Sequence, residues 1–385
     1  MVAIIKQPEP LLHAPTPRRK RYVGEVVYMY AYDVAYEMSR EPVSLLLGQK
    51  LVTHEFDVSR KNPRRHMFYK PQMVSLPAVE RAGPHGSVRV ERCVKLLPVG
   101  AISITVRVPF AVDRLEELVP YHELEWKRGT LHEEVHVLAE SVRQELHRYC
   151  VRPMQSLMDE EAYTVFCIEA PLLGAEQQPI SGETWLQLNR RQVASLLTQE
   201  ADVSQLSRQE AEESTGKFLS YYQNDLVVVD WDAALVVDER AEFDETLYVM
   251  ELANLQLAEL EAYDRLLDES LERSYRDLGQ RRWRGRTHVL QELREIRIDL
   301  ARFSDELMNI TKFIGDWHLA RVYEIISTRF HLADWHRTID EKLKTLDGLY
   351  EILKHDQNNR WMLSLEVTIV LLFIIDLIIL FSGAK

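Results

Sequence analysis

His132-Glu133-Glu134-Val135-His136 has the spacing of H-E-x-x-H, the best enzymatic signal in the chain. On a helix, histidines four residues apart stand one turn apart on the same face. There they can hold zinc while the glutamate beside the first serves as general base. Helical spacing through Leu131, Val135, Leu138, Val142 and Leu146 supplies that helix. Against the zinc reading, Glu134 puts a charge where a buried zinc-protease helix carries an uncharged residue. No third histidine follows at the metzincin spacing, and the gluzincin-like spacing lands near Ser156 rather than on an acid. A solvated amphipathic helix explains the stretch at least as well, so we expect no catalytic residue, no metal and no cofactor. A membrane-tethered zinc hydrolase using His132, Glu133 and His136 is the alternative.

Arg281-Arg282-Trp283-Arg284-Gly285-Arg286 is a basic turn between helical stretches. Its functional reading is contact with anionic lipid headgroups or RNA, with Trp283 as the interfacial or stacking ring. Its simpler reading is a set of C-terminal cations that balance a helix dipole and nearby acids. The net charge of −13 argues against nucleic acid as the main partner. No G-x-x-x-x-G-K-[ST], G-x-G-x-x-G or G-x-S-x-G occurs, so nucleotide cradling and serine hydrolysis lack their usual cues.

The third chemical feature is a pair of carboxylates, Glu366 and Asp376, inside the apolar run from Trp361 to Phe381. Its 21 residues would extend about 31 Å as a helix, close to the ~30 Å hydrocarbon thickness. Fifteen Leu, Ile, Val and Phe residues favour insertion by roughly 5 to 9 kcal/mol. Two central acids oppose it by about 5 to 7 kcal/mol. The sum is near balance. The acids therefore either reach the interfaces or face a partner helix, and we expect Glu366, Asp376 and the interfacial Trp361 to be membrane and oligomer contacts. An ion-conducting assembly is a further alternative, since one span forms no pore alone.

All fifteen prolines lie at or before Pro179. Proline breaks helices, so the second half is free to form long ones and the first half reads as strands, turns and short helices. YVGEVVYMYAYDVAYEM, SVRVERCVKLL, AISITVRVPF, EAYTVFCIEA, DLVVVDWD and AALVVD are predicted strands. ETWLQLNRRQVASLLTQ and the stretch ending at KFLSYYQ are predicted helices. From Phe243 a first long helix is expected to end at Gly279. Val289, Leu293, Ile296, Leu300, Phe303, Leu307 and Ile310 then repeat with 4-3 spacing, the seam of a coiled coil. After Gly315 a third helix carries Leu332, Trp335, Ile339, Leu343 and Leu346.

The predicted fold class is an α+β N-terminal domain, then an all-α antiparallel or coiled-coil region, then one C-terminal transmembrane helix. The expected division is a basic, proline-rich tail over 1–21, a soluble domain over 22–240, a helical stalk over 241–357 and an anchor over 358–385. Three cysteines without a CxxC pair fit a reducing compartment. Basic residues before the span, Lys354 and Arg360, favour the bulk of the chain on the cytoplasmic side of an inner or cytoplasmic membrane. The expected partners are the lipid bilayer, further copies of the chain and an unidentified protein.

Leu365-Glu366, nine apolar or neutral residues and then Asp376 resemble the C-terminal span of the "required for meiotic nuclear division" (Rmd/Sif-type) family. The similarity runs upstream through the Trp317 region and the Leu332–Leu353 helix, over about the last 160 residues. The family's aromatic-glycine strand is not found in clear form. The resemblance implies a membrane-anchored protein without established catalysis that organises other machinery, that is, a scaffold or tether. In shape alone the layout also resembles CorA-type magnesium channels, whose second span and Gly-Met-Asn loop this sequence lacks.

Overall fold

Tyr22–Asp33 alternates two apolar sets along its pleat. Tyr22, Val26, Tyr28, Tyr30 and Tyr32 are buried on one face, Val27 and Met29 on the other. A strand of that kind must be covered on both sides. It is central to the fold in the computed structural model, which describes residues 21–39, 41, 43–53, 71–97, 100–126, 129–157, 160–174, 178–279, 298 and 317–382.

That strand, β1, belongs to a nine-stranded sheet. Its other members are β2 (Val52–Thr53), β3 (Gln72–Gly83), β4 (Gly86–Leu96), β5 (Ala101–Val112), β6 (Glu161–Glu169), β7 (Phe218–Leu219), β8 (Leu226–Val229) and β9 (Ala233–Asp238). The order is β7-β8-β9-β6-β1-β5-β4-β3-β2. Neighbours are antiparallel except β6 and β9, which run parallel. β1 and β6 approach closely at Gly24, where a Cβ atom would meet the Cys167 carbonyl oxygen at 1.9 Å. Only glycine fits there.

One face of the sheet is covered by α1 (Leu131–Leu146), α2 (Gly182–Leu197) and the short 3-10 helix Leu115–Tyr121. Trp185 is fully enclosed on this side, edge-on to Tyr22 with ring centroids 6.1 Å apart. Near β7 the expected helix through KFLSYYQ differs. A helix, α3, spans Arg208–Ser214, and Phe218–Leu219 is the edge strand. Pairing with Val227 and Val228 holds those two residues in a strand against their helical neighbours.

The other face is covered by α4 (Phe243–Gly279), α5 (Trp317–Arg329) and α6 (Leu332–Ser382). The expected division at 240/241 therefore does not divide the packing. Val27, Val165, Val227 and Val236 of the sheet share one core with Leu247, Leu260, Val322, Ile326, Ile339 and Leu343 of the helices. The expected single helix after Gly315 is broken at His331, whose φ of 51° turns the chain into an antiparallel hairpin of α5 and α6. Buried Arg329 ties that turn to Asp230 between β8 and β9.

Helices α4 and α6 run in the same direction. Gln256 Nε2 lies 3.1 Å from His336 Nε2, and further along both helices Lys342 Nζ is 2.6 Å from Asp264 and from Asp268. Continued at equal rise, this register brings Gly279, the last described residue of α4, level with residues 353 to 359 of α6.

Candidate functional site

The H-E-x-x-H stretch forms the first turn of α1, and its residues are held by their neighbours. Thr130 Oγ1 accepts from the Glu133 amide at 3.1 Å, and Glu133 Oε2 accepts from the Thr130 amide at 3.0 Å. Glu133 thus closes a capping box, the usual use of an acid at the third helical position. Glu134, the residue that argued against zinc, pairs with Arg81 at 3.0 Å and Arg92 at 3.1 Å. His132 and His136 do share a face, and both turn to one buried carboxylate, Glu160; the His136 contact is 3.6 Å. Tyr30 and Tyr32 lie edge-on to the two imidazoles, with centroids 5.8 and 6.2 Å away. Among the described residues no group of three histidines, cysteines or acids is placed to hold a metal ion.

Across the sheet lies a cleft of about 430 Å3, floored by β3–β5 and walled by the first turns of α4. The β4 sequence alternates Val88, Val90, Val94 and Leu96 with Arg89, Glu91, Cys93 and Lys95, and the second set faces the cleft. At one end Lys95 pairs with Glu251 of α4, which also accepts from Ser103 Oγ at 2.5 Å and Thr105 Oγ1 at 3.2 Å. Burial pushes the Glu251 carboxyl up, but Lys95 and the two hydroxyls outweigh it and hold the group below the usual carboxylate range. At the other end Arg107 reaches Asp244 of α4 and Glu25 of β1, the latter at 3.1 Å. Between them the register sets Cys93 opposite Thr105. Burial raises the Cys93 thiol to about 11. So protonated, the thiol is a poor nucleophile.

A second set of acids lies at one end of the sheet, under the middle of α4. Burial raises Asp33, at the end of β1, to about 7, and pushes Glu259 of α4 well above the carboxylate range, with the Asp33 charge adding to it. Glu161 is likewise raised to about 7 by burial, then by Glu261 and Asp232. Glu259 Oε1 is buried without a hydrogen-bond partner.

The third feature is the far end of α6, an unbroken helix of 51 residues. Its first turns are core, with Ile339, Leu343 and Leu346 buried against α4. From Trp361 to Ile379 it becomes 19 residues of mean hydropathy 2.6, none of them buried in the chain. Among the described residues it is the one helix long and apolar enough to cross a membrane. Glu366 and Asp376 lie within it, exposed. Thr368 donates to the Ser364 carbonyl at 2.7 Å, so that hydroxyl is satisfied within the helix. The basic turn Arg281, Arg282, Trp283, Arg284 and Arg286 and the seam from Val289 to Ile310 lie outside the described residues.

These features define a mixed-sheet domain with helices on both faces, one of which runs on into a candidate membrane span. The chain belongs to the family described as the N-terminal domain of uncharacterized protein MJ0711, matched over residues 23–244. That match begins in β1 and ends in the first turn of α4. A relative, uncharacterized protein MJ0711 of Methanocaldococcus jannaschii, is 22% identical over 223 residues. The alignment covers 57% of this chain and 65% of the relative, so the chain spans just under two thirds of that protein's length. No solved structure matches the chain.

Proposed function

We propose that the chain is a membrane-anchored scaffold: the end of α6 crosses the bilayer once, copies associate through the helical region and span, and the N-terminal domain recruits a partner protein. The observation that carries this reading is the continuity of α6, half core helix and half apolar, uncovered helix. A helix of that kind joins a folded domain to lipid without a flexible linker. The cleft between β4, β5 and α4, lined by charges of both signs, supports recruitment of a polar partner surface. The zinc-hydrolase alternative draws no support from α1, where Glu133 is engaged by Thr130.

The membrane is an inner or cytoplasmic one, with the bulk of the chain on its cytoplasmic side. Three free cysteines and the basic residues Lys354 and Arg360 ahead of the span support that side. The likeness of the Glu366–Asp376 pattern to the Rmd/Sif-type span supports the same reading. The test is fractionation of membranes from expressing cells. The chain is expected to resist carbonate extraction, and added protease is expected to digest the domain in inside-out vesicles only. Release by carbonate would refute the anchor, and digestion in right-side-out vesicles would refute the sidedness.

A further inference from the structure

We propose that Glu366 and Asp376 lie on one seam of the span, and that this seam closes against the same seam of a second copy, parallel and in register. The inference rests on the membrane-anchor reading above. The two acids are ten residues apart, one heptad plus three, so both fall on the 3.5-residue repeat Met362, Glu366, Ile369, Phe373, Asp376. These five residues are exposed along α6. Taken at 100° per residue, the seam lies about 130° around the helix from Ile339, Leu343 and Leu346, the residues packed on α4. Glu366 therefore points away from the chain's described helical layer and Asp376 lies about a quarter-turn round from it, so a neighbouring helix can approach both without meeting that layer.

Nothing within the described chain supplies that neighbour. Helix α4 is described as far as Gly279, level with residues 353 to 359 of α6 by the register of Gln256 on His336 and Lys342 on Asp264 and Asp268. Ser364 and Thr368, the span's other small polar residues, lie on the opposite side, and Thr368 bonds back to Ser364. The two carboxyls are thus the polar groups of the span that call for a partner within hydrocarbon. A second copy answers in kind, because a carboxylic acid donates one hydrogen bond and accepts others and so pairs with its own image. A parallel pair sets Glu366 at the depth of Glu366 and Asp376 at the depth of Asp376, as the isologous symmetry of a two-fold dimer requires.

The test is cysteine crosslinking of the full-length chain in membranes, with the parent chain giving the background of its three native cysteines. Met362→Cys, Ile369→Cys and Phe373→Cys are expected to form oxidised homodimers several-fold more than Val367→Cys and Leu371→Cys on the far side. In the Phe373→Cys background, Glu366→Leu with Asp376→Leu is expected to weaken association about tenfold, while Glu366→Gln with Asp376→Asn keeps it. Equal crosslinking on both sides, a maximum at Val367 and Leu371, or adducts only with a different protein would overturn the seam. Carbonate extraction of the same membranes separates the two readings. Loss of the parent chain from the pellet refutes the anchor, whereas retention without the 3.5-residue pattern refutes the seam alone.

Discussion

At the scale of single residues, the chemistry divides between groups that are engaged and groups under electrostatic strain. Asp33, Glu161 and Glu259 bind their protons more tightly folded than unfolded, because burial disfavours their charge. An acid whose folded pKa is raised contributes stability that is fully present below its unfolded value, near 4, and is lost as the pH rises through the folded value. For Asp33 and Glu161 the window is therefore about pH 4 to 7, and stability falls across it, with Glu259 adding to the fall in the same direction. The melting temperature of the solubilised chain is expected to drop by about 5 °C between pH 5.5 and 8. Asp33→Asn with Glu259→Gln should flatten that slope, which a thermal melt at each pH would check. A slope unchanged in the double variant would remove these two acids as its source. Little of this was legible in the sequence. Asp33 ends a predicted strand and Glu259 sits in a predicted helix, but nothing local announces that they meet. His132 and His136 were legible as a helical pair, whereas Glu160, the group they face, follows 24 residues later and has no spacing signal of its own.

At the scale of elements, the strands read from the sequence are the β-branched and aromatic runs bounded by turn residues. β1, β5, β6, β8 and β9 are rich in valine, isoleucine and aromatics and are buried in the sheet. β3 escaped because Pro77 interrupts it, and proline inside a run reads as a break. In the structure the pairing of β3 with β4 shifts register between Leu76 and Val79, and that irregularity accommodates the proline. The cleft was half legible. Arg89, Glu91, Cys93 and Lys95 alternate visibly with valines, but their counterparts Asp244 and Glu251 come from a helix about 150 residues away. Lys95 and Glu251 join that helix to the sheet as a buried ion pair, with side chains 13% and 7% exposed. Removing one partner leaves the other charge uncompensated. Lys95→Ala is expected to cost about 3–5 kcal/mol in a chemical-denaturation experiment, and Lys95→Met with Glu251→Met to recover most of it.

At the scale of the whole molecule, the two layers over the sheet are unlike. One belongs to the domain itself, and the other consists of helices, the last of which runs on into the candidate span. Because none of the Trp361–Ile379 helix is buried against the rest, its removal should leave the domain intact. A chain ending at Asn359 is expected to be soluble without detergent, with a melting temperature within about 2 °C of the full chain. A much lower value would mean that the apolar helix packs on the domain after all. Sequence patterning divided the chain at 240/241 but did not show that the helices beyond it share a core with the sheet. The helical stripe from Leu257 to Leu271 is the same whether its partner is another helix or a sheet, and only the tertiary structure distinguishes the two.

The uninterrupted course of α6 has one mechanical consequence. Between Leu332 and Trp361 it is a stiff rod about 44 Å long. With the span anchored as proposed, a thinner bilayer that leans it by about 20° swings the Leu332 end of the rod sideways by roughly 15 Å. Under the proposed anchoring, such a lever would turn local lipid thickness into a displacement of the domain.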